Sequence, residues 1–503
     1  VAAYQAAIGC FLVSHPLAKT WVARSMAELK DVELDHWADE NGGWLEPPTY
    51  ALTAYNYLLG IFLMTHNSGI NDYLYDPKMK LVMLWLAKIS TPPDARLQGW
   101  RHLPPIGNTY KLLPCWQFWL MASLWKEKDP DFAAQMAWMH QQQGSYPSEV
   151  GGFSAVLAGY RDLVLDATIK PKPMSFGSEL FPETGVVLRN QYPTDRETML
   201  YLIAGNNWQH YDYDSGSITL WGKGRIIADD FGYTGRAPVD DHSMVELPLM
   251  QNERMKVKAF AATPHLDYVR SSLNTAPPVD EYHITPYSHV DYQHSVFSGW
   301  TRQIALVKDT DPLGPNYFVI CDSLRAPVPA TWRLWLTCEK VTLHPQGALV
   351  VGKEDVDTDI VFLRPAQPAL STEAKTRASA GVNAEMRQGR WEWTQIGLIA
   401  TQETGHGWTA VIYPRLKTEK PPIITPLAEG KGVKVQTAAG TDYVFVSEKA
   451  FQFTEGAVSF SGTVGAIQIR GKQVRLSLGA PGSIAAGRKP LVADKPAHRE
   501  DKR

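Results

Sequence analysis

The stretch KPKPMSFGSELFPETG, residues 170–185, separates two kinds of periodicity. Its lysines, prolines and glycines suit neither an amphipathic helix nor an alternating strand, so it reads as a linker. Upstream, apolar residues recur at helical spacing over 1–14, 16–30, about 49–66, 76–90, 111–126 and 129–143. Helix stops such as HNSG, TPPD and KDPD lie between them, which predicts helical hairpins across 1–169. The loops ADENGGWLEPPTY and GWRHLPPIGNTY would form a wet edge of that domain. Downstream, short β-runs such as GVVLRN, TMLYLIAG, SITLWGKGRIIAD, NYFVICDS and QVRLSLG alternate with turns. They predict a large antiparallel β-sandwich over 186–486, of two or more sheets. The charged end, 487–503, is expected to be mobile. The fold class is therefore α+β, helices first and sheets second.

Of the 503 residues, 44% are hydrophobic and 20% charged, enough for a large core. The net charge is −3, so no global basic field draws in nucleic acid, and an acidic ligand must be held by local positive groups. Nine of the seventeen Trp fall in the first 143 residues; indole faces fill cores and also line sugar-binding clefts. Trp44 is a candidate of the second kind. No apolar run reaches 18 residues, so no transmembrane helix is expected. The chain opens inside an apolar pattern at Val1, which reads as a processed or trimmed product from which a signal peptide could have been removed. Cys10, Cys115, Cys321 and Cys338 have neither metal-site spacing nor a disulfide framework.

A second stretch, WQHYDYDSGS at 208–217, concentrates ionisable groups. Read as a strand, it places His210, Asp212 and Asp214 on one face. A hairpin around Gly222, Lys223 and Gly224 then ends in Asp229 and Asp230, and His242 follows in VDDHSMVE. Asp212, Asp230 and His242 could converge from neighbouring strands as ligands for a divalent ion, zinc or manganese by donor type. On spacing alone, a solvated sheet edge accounts for the same charges.

Residues 210–245, HYDYDSGSITLWGKGRIIADDFGY…HSMV, resemble the signature of the heparinase II/III superfamily of polysaccharide lyases. That pattern runs His-x-His-x-Asp-x-Gly-Ser-Phe, then Asp-x-Gly, then His-Asn-Thr-Val. His210 falls on a catalytic His, and Asp212 on a metal-binding His. Asp230-Phe231-Gly232 and His242-Ser243-Met244-Val245 match the other two elements. The Asp at 212 is a departure that brings calcium in beside zinc and manganese. FPETGVVLRN and TRQIALVKDTDPLGPNYFVICD resemble further parts of the same β-domain.

In the helical half, ENGGWLEPPTYALTAY at 40–55 resembles a family loop carrying Asp-Gly-x-x-x-Glu and then x-Pro-x-Tyr. Tyr50 would be the catalytic tyrosine, with Glu46 and Trp44 beside the substrate. RHLPPIGNTY at 101–110 resembles a loop reading Leu-Pro-x-Ile-Gly-Asp-Thr, with Asn108 in place of the Asp. Arg101, His102 and Asn108 are its candidate substrate contacts. An Asn-His pair that the family places some fifty residues before the tyrosine would fall at or just before Val1, so either the carboxylate-neutralising residues lie outside these residues or others do the job.

The resemblance implies an incomplete (α/α) toroid followed by a β-sandwich, with the first helices of the toroid missing. It implies a secreted or periplasmic lyase that cleaves a uronic-acid polysaccharide, glycosaminoglycan or alginate-like, by β-elimination. Tyr50 would serve as base and acid, His210 as second base or charge stabiliser, and the metal as a structural part. Two alternatives share these residues. One is a glycoside hydrolase using Glu46 and Asp214; the other is a catalytically degenerate polysaccharide-binding protein. No nucleic-acid or membrane partner is expected.

Overall fold

The structure is a computed structural model that describes residues 1–145, 168–206, 210–235, 237–247, 254–274, 299–325, 329–487 and 489–502. Helices occupy Ala2–Phe11, Ala18–Ala27, Pro48–Asn67, Pro77–Ile89, Gln117–Trp125 and Pro130–Gln142, close to the expected positions. Local chemistry fixes several starts. The Asp76 and Asp129 side chains accept from the Lys78 and Phe132 amides, and a proline opens each helix behind them. Ala2–Phe11 packs on Ala18–Ala27, and Gln117–Trp125 on Pro130–Gln142, as hairpin partners.

One helix starts later than its periodicity suggests. The apolar run at 111–126 becomes helical only at Gln117. The segment before it is drawn into the sheets instead: the Lys111 N–H donates to the Ala380 carbonyl at 3.0 Å, and the Val382 N–H to the Lys111 carbonyl at 2.8 Å.

Downstream, the strands form three antiparallel sheets. In the first, Glu179–Phe181, Gly185–Asn190, Thr198–Ile203, Ile218–Gly222, Arg225–Ala228, Ala330–Leu336, Gln388–Gln402 and Ala369–Val382 follow one another in space. The second is centred on Tyr317–Leu324, between Gly299–Val307 and Gly407–Leu416. The third is centred on Gly440–Glu455 and Val458–Arg470.

The continuous apolar strands are explained by burial on both faces. In Thr198–Ile203, Met199, Tyr201 and Ile203 face the helices, while Leu200 and Leu202 face the second sheet. In Tyr317–Leu324, Phe318 and Ile320 face the first sheet, while Tyr317, Val319 and Cys321 face the third. The molecule is thus four layers: helices, then sheets one, two and three.

Two sequence expectations change here. The strand Glu179–Phe181 lies inside the expected linker and pairs with Gly185–Asn190. The end expected to be mobile contains Ala497–Lys502, which pairs in register with Gln473–Leu478. Its charges are held: Gln473 Nε2 donates to Glu500 Oε2 at 2.8 Å, and His265 meets the other carboxylate oxygen. Among the described residues no helix is long and apolar enough to cross a membrane.

A buried ion cluster ties helices to the first sheet. Glu197 lies between two arginines, with Arg101 Nη1 2.7 Å from Oε2 and Arg189 Nε 2.6 Å from Oε1. Arg189 also donates to the Lys88 carbonyl at 2.8 Å, and the Tyr192 ring lies 4.7 and 4.9 Å from the two guanidinium carbons. Burial of three charges is tolerated because each has an opposite neighbour.

Candidate active site

The loop at 210–217 is not the strand that its alternation predicts. His210 and Tyr213 have φ of +67° and +62°, left-handed values that break the alternation. Such values cost a non-glycine residue roughly 1–2 kcal/mol and persist where the surroundings hold them. The Asn108 N–H donates to the His210 carbonyl at 2.8 Å. Gly107, at φ +53°, permits that approach, since a Cβ there would lie 2.8 Å from the His210 carbonyl oxygen. Below the loop, Gly216 has φ +94° and would place a Cβ 2.5 Å from the Trp300 ring. Trp208 and Gln209 lie outside the described residues.

The resulting turn brings His210 onto Tyr50. The two rings stack with centroids 3.5 Å apart and planes 7° apart. Tyr50 stands in the first turn of Pro48–Asn67, where its N–H donates to the Pro47 carbonyl at 2.9 Å. Its hydroxyl lies 2.6 Å from that of Tyr233. Tyr233 follows Asp230-Phe231-Gly232 directly and is fixed by two backbone bonds. Its N–H donates to Thr109 at 3.0 Å, and its carbonyl accepts from Ala380 at 2.9 Å. Glu46 is nearby, with Oε1 3.8 Å from His210 Nε2. Tyr50, His210, Tyr233 and Glu46 are all half-buried, at an accessible seam between the helices and the first sheet. Tyr233 was not singled out from sequence, although the Asp-x-Gly motif ends at its door.

Protonation follows from burial. Desolvation raises the Tyr50 phenol, and the neighbouring Tyr233 hydroxyl reinforces the shift, so Tyr50 holds its proton. Desolvation lowers His210, keeping its imidazole neutral. Burial pushes the Glu46 carboxyl up to about 7, with Glu33 adding to the rise.

The other expected contacts are placed differently. Trp44, Arg101 and His102 are fully buried, so none of them presents a face to a ligand. Trp44 packs in the helical core. Arg101 is held by Glu197, and His102 Nε2 lies 3.0 Å from Asp94 Oδ2. Asp214 is also fully buried; its Oδ2 accepts from the Gly107 N–H at 3.0 Å, and burial pushes its carboxyl up to about 7. Asn108 is buried under the loop; with its amide turned so that the nitrogen faces the acceptors, it donates to Asp212 Oδ2 at 2.6 Å and to the Gly235 carbonyl at 2.7 Å.

Asp212, Asp230 and His242 do come together, but not as a ligand sphere. His242 Nδ1 lies 2.8 Å from Asp230 Oδ2, and Nε2 lies 2.8 Å from the Asp212 backbone carbonyl. Acceptors on both sides call for an imidazolium, whereas a metal needs a bare ring lone pair. Burial pushes His242 down, yet Asp230, with Asp214 and Asp212 behind it, outweighs this and raises it to about 9. Among the described residues no group of three or more His, Cys, Asp or Glu is arranged to hold a metal ion. The side chains as placed therefore do not fit the expected metal; they form a proton-centred clamp that fixes the loop carrying His210.

No protein-family model matches the chain, and no curated protein matches it by sequence. Solved structures do match by fold. A heparan sulfate lyase HepC mutant from Pedobacter heparinus superposes with a TM-score of 0.62 at 14% identity, over 88% of this chain and 65% of that one. A heparinase III gene product gives 0.58 at 14% identity, over 100% of this chain and 65% of that one. A second heparinase III gives 0.59 at 13% identity, over 88% and 66%. This chain spans about two thirds of the length of each, 65 to 66%. The likeness is one of fold: a helical N-terminal region followed by large antiparallel sheets, as in these polysaccharide lyases.

Proposed function

We propose that the chain is a polysaccharide lyase that cleaves a uronic-acid-containing polymer by β-elimination, its helices forming part of an (α/α) toroid. The observation that carries this reading is the meeting of Tyr50, His210 and Tyr233 at an open seam, with Tyr50 protonated and His210 neutral. That pairing divides the labour. His210 takes the C5 proton of the uronate, and Tyr50 gives its proton to the departing O4. The Tyr233 hydroxyl then donates to the Tyr50 phenolate and stabilises the charge left there.

β-Elimination also needs the uronate carboxylate neutralised. Glu46 offers a means, because below about pH 7 its carboxyl carries a proton that it can share with the substrate carboxylate. The two-carboxylate hydrolase reading is weakened by Asp214, which is fully buried and faces the Gly107 amide. An extracellular acidic polymer as substrate suits a secreted or periplasmic protein. Zinc, manganese or calcium enters no step of the proposed reaction.

The test is ultraviolet absorbance on incubation with heparan sulfate, chondroitin sulfate, hyaluronan, alginate and ulvan. A lyase leaves a 4,5-unsaturated uronate that absorbs. Cleavage with saturated ends only would show a hydrolase, and binding of every polymer without cleavage would show a binding protein.

A further inference from the structure

The second and third sheets enclose a dry core around Tyr317, Val319, Val411, Val433, Val444 and Val446. At one end they part and leave an open cleft of about 640 Å³. It lies between sheets two and three, whereas the Tyr50–His210 seam lies between the helices and sheet one. The cleft is lined by Arg325, Arg364, Lys431 and Lys449, with His406 at one wall and Glu448 as the carboxylate among its lining groups. Four permanent cations against one anion give it a positive field in a protein whose net charge is −3.

Arg364 is the anchor of this argument. Arginines elsewhere in the fold are held by carboxylates: Arg101 by Glu197, Arg302 by Asp322, Arg415 by Asp359 and Arg470 by Asp442. Arg364 forms no such pair among the described residues, and its Nε is buried without a hydrogen-bond partner. Arg364 is half-buried at the cleft wall with no carboxylate among the described residues to match its charge, and an anion entering the cleft would supply that match. Lys431 supports this. Its ammonium lies 3.9 Å from Glu429 Oε2, an exposed carboxylate, and 5.9 Å from the Phe451 ring centroid. A guanidinium, an ammonium and an aromatic ring at one wall are the groups that hold a charged, flat-faced sugar.

We propose that this cleft is a second, non-catalytic site that binds an acidic saccharide unit through its sulfate or carboxylate. The volume falls within the range of small-molecule sites, roughly 300–1,000 Å³, rather than that of a lone oxyanion. The saccharide part of the proposal rests on the lyase reading; the anion part does not. A site remote from the seam would hold a polymer to the protein between cleavage events and raise the local concentration of chain ends.

The test measures calorimetric binding of a sulfated disaccharide and of inorganic sulfate. It compares the full chain with Arg364→Ala, Lys431→Ala and Lys449→Glu, each checked for an unchanged thermal midpoint. Lys449 is exposed, so its variant reads the site with little risk to folding. The expected result is a loss of disaccharide affinity of about tenfold or more per variant, about 1.4 kcal/mol each. Turnover at saturating polymer should be unchanged, and the loss should persist in a Tyr50→Phe background. Disaccharide affinity unchanged in all three variants would overturn the proposal. Sulfate bound as tightly as the disaccharide would overturn its saccharide part and leave the anion site. Binding by the cleft with no unsaturated product from any polymer would fault the lyase reading alone.

Discussion

Asn108 and Asp212 are two of the positions where the chain departs from the pattern it resembles, and they touch: with the Asn108 amide turned so that its nitrogen faces the acceptors, it donates to Asp212 Oδ2 at 2.6 Å. The family pattern has an Asp at the first position and a His at the second. Here the carboxylate has moved across the contact, so the pair keeps one acidic partner and one donor. Both side chains are buried, which makes the choice consequential. Asn108→Asp would oppose two buried carboxylates and is expected to lower stability by about 3 kcal/mol or more. Asn108→Asp combined with Asp212→His should recover at least half of that loss in a urea titration. Strict additivity of the two changes would mean that the pair is not coupled.

Tyr50→Phe removes the proposed proton donor while keeping the ring that stacks on His210. The expected loss in kcat is about 10²–10⁴-fold, with the thermal midpoint unchanged. Tyr233→Phe removes only the proposed partner of the phenolate, a charge-assisted bond of about 1.5–3 kcal/mol. Its expected loss is therefore smaller, about 10–100-fold, and largely in kcat. Near-full rate in Tyr50→Phe would discard the assignment of the acid.

The pH profile should identify Glu46. Its carboxyl is raised to about 7 by burial, and in the proposed reaction the protonated form is the one that neutralises the uronate. kcat/KM should therefore fall as pH rises through about 7, about tenfold per unit beyond it. Glu46→Gln keeps a neutral donor and cannot ionise, so its alkaline limb should move upward. An identical limb in Glu46→Gln would assign the ionisation to another group.

The His242 clamp makes a stability prediction. Its pKa rises from 6.5 to about 9 on folding, so the contribution is complete below about 6.5 and disappears as pH climbs through about 9. The urea midpoint should drop across that window. His242→Ala strands Asp230 without its partner and should cost about 3–5 kcal/mol. Chelation should leave the thermal midpoint unchanged. Stoichiometric zinc or manganese binding that raises the midpoint would replace the clamp with a metal centre.

The layers were legible where pattern alone decides them. The helical spacing at 76–90 and 129–143 is realised as Pro77–Ile89 and Pro130–Gln142. The unbroken apolar run TMLYLI forecast a strand, and its two-sided burial explains why it does not alternate. What escaped is decided by partners that no local pattern marks. Arg101 and His102 look like loop residues fit for an acidic sugar until Glu197 and Asp94 are placed against them. Nothing near residue 101 announces an acid ninety-six positions later. The 210–217 loop alternates like a strand, and only the approach of Gly107 and Asn108 reveals its left-handed turns. Tyr233 could have been found by asking which side chain follows the Asp-x-Gly element into the seam.

The Glu197 cluster has a bearing on how this protein can be divided. Arg101 comes from the helical side, while Arg189 and Glu197 belong to the sheets. Cut between the two halves, the sheet fragment would keep a neutral pair, and the helical fragment would carry a lone guanidinium on the surface meant to be covered. Neither piece would present Tyr50 opposite His210. Mixed together, the pieces have a charge-matched socket in which to re-register, so activity should return only on fragment complementation. In this protein, the joint that assembles the halves also completes the site.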